Sequence, residues 1–242
     1  MGPKKRRRDN LLALLLPLLT YTGLFTVLHV VFLTGVSPDY HRAFKLSRAV
    51  PAAIMTSIGL IAVFMAIGHW NEAFLYRHDP SKLTGDYFMW HGMLIVMGHL
   101  LSDFLWMAYG LVARGIIPRL DLIIHHGVCL ACFSYALWKE VGFALCLISL
   151  VSELMPVTTG ISGWGQHIGR KDVMELANRI RLKVLIWWRR PLWFFLAALT
   201  ARSILSGEIP EGFGLAFSIA VVGFTTLIFL DKYWIAKCST AC

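Results

Sequence analysis

Long apolar runs separated by short polar intervals dominate this chain. Seven runs stand out: Leu11–Leu33, Val50–Trp70, Phe88–Val112, Leu120–Trp138, Val141–Trp164, Pro191–Leu205 and Phe213–Trp234. Most approach or exceed the roughly 20 apolar residues that a helix needs to cross a bilayer. They are continuous, not alternating, which argues against the two-residue period of a membrane β-barrel. The pattern predicts an all-α membrane protein, a bundle of six to seven transmembrane helices. The sixth run is short and carries Arg202, which predicts either an earlier start within Val184–Trp188 or a deep tilt. Ahead of it, Val173, Leu176, Ile180, Val184 and Trp187 recur at threes and fours among Lys171, Arg179, Arg181 and Lys183. That spacing predicts an amphipathic helix over Asp172–Trp188 on the membrane surface. Tyr87, Trp90, Trp138, Trp164, Trp193, Tyr233 and Trp234 lie near the run ends, where an interfacial aromatic belt is expected.

Composition narrows the class. Of 242 residues, 57% are hydrophobic and only 15% charged, which leaves no soluble domain. Residues 1–49 form a basic segment, a first helix and a loop; residues 50–234 form the membrane domain; residues 235–242 are a short tail. The net charge of +9 comes from 23 Lys and Arg against 14 Asp and Glu. Basic loops meeting anionic head groups account for it, and no segment has room for a nucleic-acid-reading domain. The basic start, Lys4 to Arg8, leads into an apolar run of 23 residues, too long for a signal-peptide core, so an uncleaved first helix is expected. Arg6 stands where a myristoylation motif wants Ser or Thr. With seven spans, the N-terminal side gathers eight basic residues (Lys4, Lys5, Arg6, Arg7, Arg8, Arg77, Lys82, Lys139) and the opposite side fourteen. The first helix and the overall excess therefore point to opposite orientations. Cys129 and Cys132 have redox spacing but lie in an apolar run, as buried hydrophobic thiols do. With Cys146, Cys238 and Cys242 the count is odd, which argues against a disulfide framework.

The polar exceptions inside the runs carry the chemistry. His125 and His126 sit within Leu120–Trp138, where ionisable groups cost about 2.5–3.5 kcal/mol on insertion scales for the charged types. Neighbours on a helix differ by about 100°, so the two histidines point different ways. His91, His99 and Asp103 fall near one face of the third run, and Asp121 lies four residues before His125. Glu153 precedes Pro156, which removes a backbone hydrogen bond and frees a carbonyl near the carboxylate. Histidine and carboxylate on three consecutive spans are what a buried acid–base site needs. Buried polar pairs also serve as plain helix contacts, worth ~0.6 kcal/mol each; that reading suits isolated residues such as His29 and His69. The candidate catalytic set is His125, His126, Asp103 and Glu153. The candidate lipid-binding set is His99, Asp121 and Pro156, and no metal site is expected.

These residues resemble a family. Asp121-x-x-x-His125-His126, followed 27 residues later by Glu153-x-x-Pro156, is similar to the TLC family, which includes ceramide synthases, TRAM proteins and small lipid-regulating membrane proteins. Gly98-His-Leu-Leu-Ser-Asp103 resembles that family's small or aromatic residue before an aspartate. The likeness covers Val50 to Trp234. Ceramide synthases carry a further His-Asp pair, and Leu150-Val-Ser-Glu153-Leu-Met-Pro156 has none. The resemblance thus implies the non-synthase branch, although Met155 replaces that branch's threonine and Thr159 and Ile161 replace its Asn and Arg. It implies a helical cavity for an acyl chain or phospholipid. It also implies an endomembrane, the endoplasmic reticulum first, with the mitochondrial inner membrane as the alternative.

Three functions follow. The first is lipid handling, with membrane lipids as partners. The second is an acyl-CoA-dependent acyltransferase using His125 or His126 as base or nucleophile. The third is a non-catalytic, lipid-binding subunit of a larger membrane complex. No resident cofactor is expected beyond acyl-CoA or a bound phospholipid. One His-His supplies too few ligands for a di-iron centre, and a haem between His99 and His125 is the weaker alternative.

Overall fold

The structure, a computed structural model, describes residues 3–68, 83–207, 209 and 212–239, with side chains from residue 13 and, after the first interval, from residue 88. His69, Trp70, Arg77, Lys82 and Cys242, and the side chains of Lys4–Arg8 and Tyr87, lie outside the described residues. The described chain is helical throughout: α1 (Pro3–Val31), α2 (Tyr40–Gly68), α3 (Leu83–Arg114), α4 (Leu120–Lys139), α5 (Phe143–Ser149), α6 (Leu154–His167), α7 (Lys171–Val184), α8 (Arg190–Leu205) and α9 (Gly214–Ser239). Six stretches are long and apolar enough to cross a membrane: Ala13–Val36, Tyr40–Ala66, Phe88–Arg114, Leu120–Lys139, Phe143–His167 and Gly214–Ser239. A helix satisfies its own backbone, as hydrocarbon demands. The outside is apolar: Leu16, Phe64, Val112, Val222 and Phe229 are exposed, while Asp103, His126, Arg189 and Asp231 are buried. This is an integral, multi-pass membrane bundle.

The passes alternate in direction. Tyr21 touches His91 and Thr26 donates to Ser102, so α1 and α3 run in parallel. Helix α4 meets α9 at Asp121–Trp234 and again at Cys132–Gly223, so the two run in opposite directions, and the short link 115–119 turns α4 back along α3, where His126 meets Asp103. Trp193 meets Asp231, so α8 also runs against α9. A π-turn, Leu185–Arg189, joins α7 to α8 with helical backbone on either side. The sixth run therefore starts earlier, as one of its two sequence readings required, and Lys171 to Leu205 is one continuous helical path.

Three differences from the sequence pattern have physical causes. Helix α2 begins at Tyr40, not Val50, because Asp39 caps it: the Arg42 N–H donates to Asp39 Oδ1 at 2.7 Å. Arg42, Lys45 and Arg48 thereby become helical residues, not loop charges. Trp193 and Trp234 do not belong to an interfacial belt; both are buried and donate to carboxylates. Helix α7 is amphipathic, but only part of its apolar stripe packs. Ala177 and Val184 are buried, and Ser162 of α6 donates to Asn178 at 3.3 Å, whereas Leu176, Ile180 and Trp187 face outward. At its start Arg170 forks onto Asp172 at 2.8 and 2.5 Å, which holds that carboxyl down at about 2.

Between α5 and α6 the chain tightens into a 3₁₀ turn, Leu150–Glu153. Pro156 has no N–H for the Ser152 carbonyl, so the α-helical ladder cannot run through. Trp188 Nε1 donates to the Val151 carbonyl of this turn at 3.1 Å. Gly59 of α2 lies against the same turn: a Cβ there would meet Val151 N at 2.6 Å. Only glycine lets the two backbones come this close.

Candidate functional site

Asp103 is the hub of the interior. Its side chain is 0% exposed, and four side chains converge on it from three other helices and its own. On Oδ2, Arg48 Nε of α2 lies at 2.6 Å and the His126 Nε2–H of α4 donates at 2.7 Å. On Oδ1, the His29 Nε2–H of α1 donates at 3.1 Å and His99 Nδ1, one turn earlier on α3, lies at 3.7 Å. A carboxylate can accept this many partners because it offers about four lone-pair sites. His29 is fixed from behind by Ser47 Oγ at 2.5 Å from Nδ1 and by stacking on Trp106. His126 is fixed by the Leu122 carbonyl, 2.9 Å from Nδ1. Both His126 nitrogens are therefore engaged, and neither has a lone pair free for a substrate.

His125 points the other way. Its Nε2 is 3.9 Å from Glu153 Oε1, its Nδ1 is 3.8 Å from Cys129 Sγ, and Trp234 packs edge-on against its ring. Together with Glu153, His99 and His126 it borders a cavity of about 740 Å³ of atom-free space, mouth included. Met55, Phe133, Leu145, Leu150, Phe224 and Leu227 make its walls apolar. Cys129, Cys132 and Cys146 also line it as free thiols. Three buried polar atoms on residues lining this cavity have no hydrogen-bond partner: Arg48 Nε and His99 Nδ1, which face Asp103 off the bonding line, and Ser152 Oγ. Asp103 does not line the cavity; its carboxylate stands behind His126 and Arg48, so it can orient but not touch an occupant.

Arg48 and His125 also line a second, more polar space of about 930 Å³, mouth included. Lys45, Arg119, Arg181, Arg189 and Lys237 line this vestibule, with Pro156, Thr159 and Trp234. Asp121 sits at its edge, not in the Asp103 cluster: it pairs with Arg119 and accepts from Trp234 Nε1 at 2.6 Å. His91 lies apart from the cluster, against the Tyr21 hydroxyl at 2.9 Å.

The histidines at 99 and 126 and Asp103 have the mutual spacing of metal ligands, within 4.8 Å. The arrangement does not suit a dication, because the Arg48 guanidinium already sits on that carboxylate, with Nη2 3.4 Å from His126 Nε2. Sequence reasoning missed Arg48 as a site residue, since it was counted with a loop. It treated His29 as an isolated residue, although its tie to Asp103 crosses two helices. It also passed over the buried pair Arg189–Asp231, 3.0 Å apart. A carboxylate within the last apolar run was the available signal for that pair. Compared with known proteins, the chain matches no family model, no curated protein and no solved structure.

Proposed function

We propose that this chain is a lipid-handling membrane protein that takes an acyl chain into the cavity bounded by His99, His125 and Glu153. The carrying observation is that cavity: apolar walls, the unpartnered Ser152 hydroxyl, and two polar residues, Arg48 and His125, that it shares with a polar vestibule. An acyl chain matches the walls, and its polar end is directed toward Arg48 and His125, which the polar vestibule shares. The TLC-like reading of Asp121-x-x-x-His125-His126 and Glu153-x-x-Pro156 belongs to the same proposal, as does an endomembrane location with the endoplasmic reticulum first. Ceramide synthesis is not part of it, because Glu153 stands where a His-Asp pair would be required.

A second reading, acyl transfer, draws on one observation: His125 faces the cavity with a carboxylate 3.9 Å away. In that chemistry His125 takes the proton of an attacking hydroxyl or amine as the thioester carbonyl is attacked and the thiol leaves. His126 is not the base, since both its nitrogens are engaged. Purification in detergent, followed by mass spectrometry of extracted lipid, tests the first reading. About one acyl lipid per chain is expected. Gly223→Trp, which drives an indole from α9 into the cavity against Cys132, should lower Tm by overpacking and should lower retention severalfold in the protein that remains folded and monodisperse. A wild-type protein that retains no lipid would overturn the reading and leave a structural subunit of a larger complex. A thioester-dependent transfer activity lost in His125→Ala, with lipid retention kept, would promote the second reading.

A further inference from the structure

Six cations line the vestibule: Lys45 and Arg48 from α2, Arg119 at the start of α4, Arg181 from α7, Arg189 from the π-turn and Lys237 from α9. They are drawn from four separate stretches of chain, so the tertiary fold, and not a local basic run, gathers them. Carboxylates answer only some of them. Arg48 has Asp103, Arg119 has Asp121, and Arg189 has Asp231. Among the described residues Lys45 and Arg181 form no ion pair, and Arg181 Nε is buried without an acceptor. Arg189 is the telling case. It is 0% exposed, and it lies 3.0 Å from Asp231 but off the hydrogen-bonding line. Its Nη1 and Nη2 have no acceptor at all, while its side chain borders the vestibule. Its aromatic neighbours, Trp193 and Trp234, offer ring faces, not lone pairs. A guanidinium buried with its outer donors unanswered is costly unless something supplies the acceptors.

We propose that the vestibule binds the phosphate group of an amphiphile whose apolar chain occupies the neighbouring cavity. This rests on the lipid-handling reading and names the head that goes with the chain. The guanidinium forks of Arg181 and Arg189 match the geometry of phosphate oxygens, and Lys45 adds a point charge. A carboxylate head alone would bring one charge and two oxygens to a space ringed by six cations; a phosphate ester brings more of both. Arg48 and His125, common to both spaces, lie where head and chain join. The phosphate has two chemical sources, a lysophospholipid or the phosphates of an acyl-CoA, and both present the same group to the same cations.

The test uses the full chain in detergent with three fluorescent probes of equal chain length: a lysophosphatidic acid, an acyl-CoA and the free fatty acid. The two phosphate probes are expected to bind at least tenfold more tightly than the fatty acid. Lys45→Gln and Arg181→Gln should each weaken the phosphate probes about fivefold while leaving the fatty acid unchanged. Arg181→Lys should restore part of the loss. Competition by free coenzyme A assigns the acyl-CoA source; competition by glycerol phosphate without coenzyme A competition assigns the lipid head group. Equal binding of all three probes, insensitive to both Gln variants, overturns the phosphate site while the lipid-handling reading stands. Failure of all three probes to bind a folded protein overturns that reading itself.

Discussion

At the scale of single residues, Asp103 shows what a buried charge in a membrane bundle requires. A carboxylate without partners would be prohibitively costly there, and four donors or cations on three other helices and its own answer it. Removing its charge therefore does more than remove one bond, because it leaves Arg48 unpaired in the interior. Asp103→Asn is expected to destabilise the fold by about 3–5 kcal/mol, read as a lowered Tm in detergent. The double variant Arg48→Met with Asp103→Asn should cost less than the sum of the two single changes. Strict additivity would mean that the two groups are not coupled. The neighbouring histidines divide the work by direction. His126 is locked to the hub and His125 is offered to the cavity, a consequence of the 100° step between adjacent residues on a helix.

At the scale of elements, the contact between α2 and the turn linking α5 to α6 sets the cavity's geometry. Pro156 tightens the helix into a 3₁₀ turn, and Gly59 lets α2 lie against it. This packing holds Glu153 on the cavity side, 3.9 Å from His125. Gly59→Ala would set a methyl group 2.6 Å from the Val151 backbone nitrogen, so the helices must part. A loss of about 1–3 kcal/mol is expected from such overpacking. Gly23→Ala on α1 is the control: nothing lies within 4 Å of its Cβ, and no loss is expected. Equal stability of the two variants would contradict the close approach. The periodicity of α7 was legible in the sequence, but its packed face was not. Ala177, a small residue that a hydrophobic stripe overlooks, is the one most deeply buried against α6, while Leu176 and Ile180 stay outside.

At the scale of the whole molecule, the alternating passes carry α1 in at one face and α9 out at the other. Tags at the two ends are therefore expected on opposite sides of the membrane. Protease protection in sealed vesicles checks this, and protection of both tags together would refute it. Six of the fourteen basic residues that sequence counting assigned to one side converge on the vestibule. That excess therefore reflects an interior cluster gathered by the fold as well as topology, which explains why charge counting gave no single orientation. The sequence by itself determined the class, because backbone groups in hydrocarbon leave no alternative to helices for runs this long. It also determined which residues are chemically exceptional: His99, Asp103, His125, His126 and Glu153 stand out against apolar surroundings without any structure. Only the tertiary structure decided how these groups are shared out. Helical periodicity fixes a residue's direction relative to its own helix but says nothing about which helix lies opposite. The pairing of Asp103 with Arg48 and His29, the withdrawal of Asp121 to Arg119 and Trp234, and the gathering of six cations from four stretches of chain all depend on that packing.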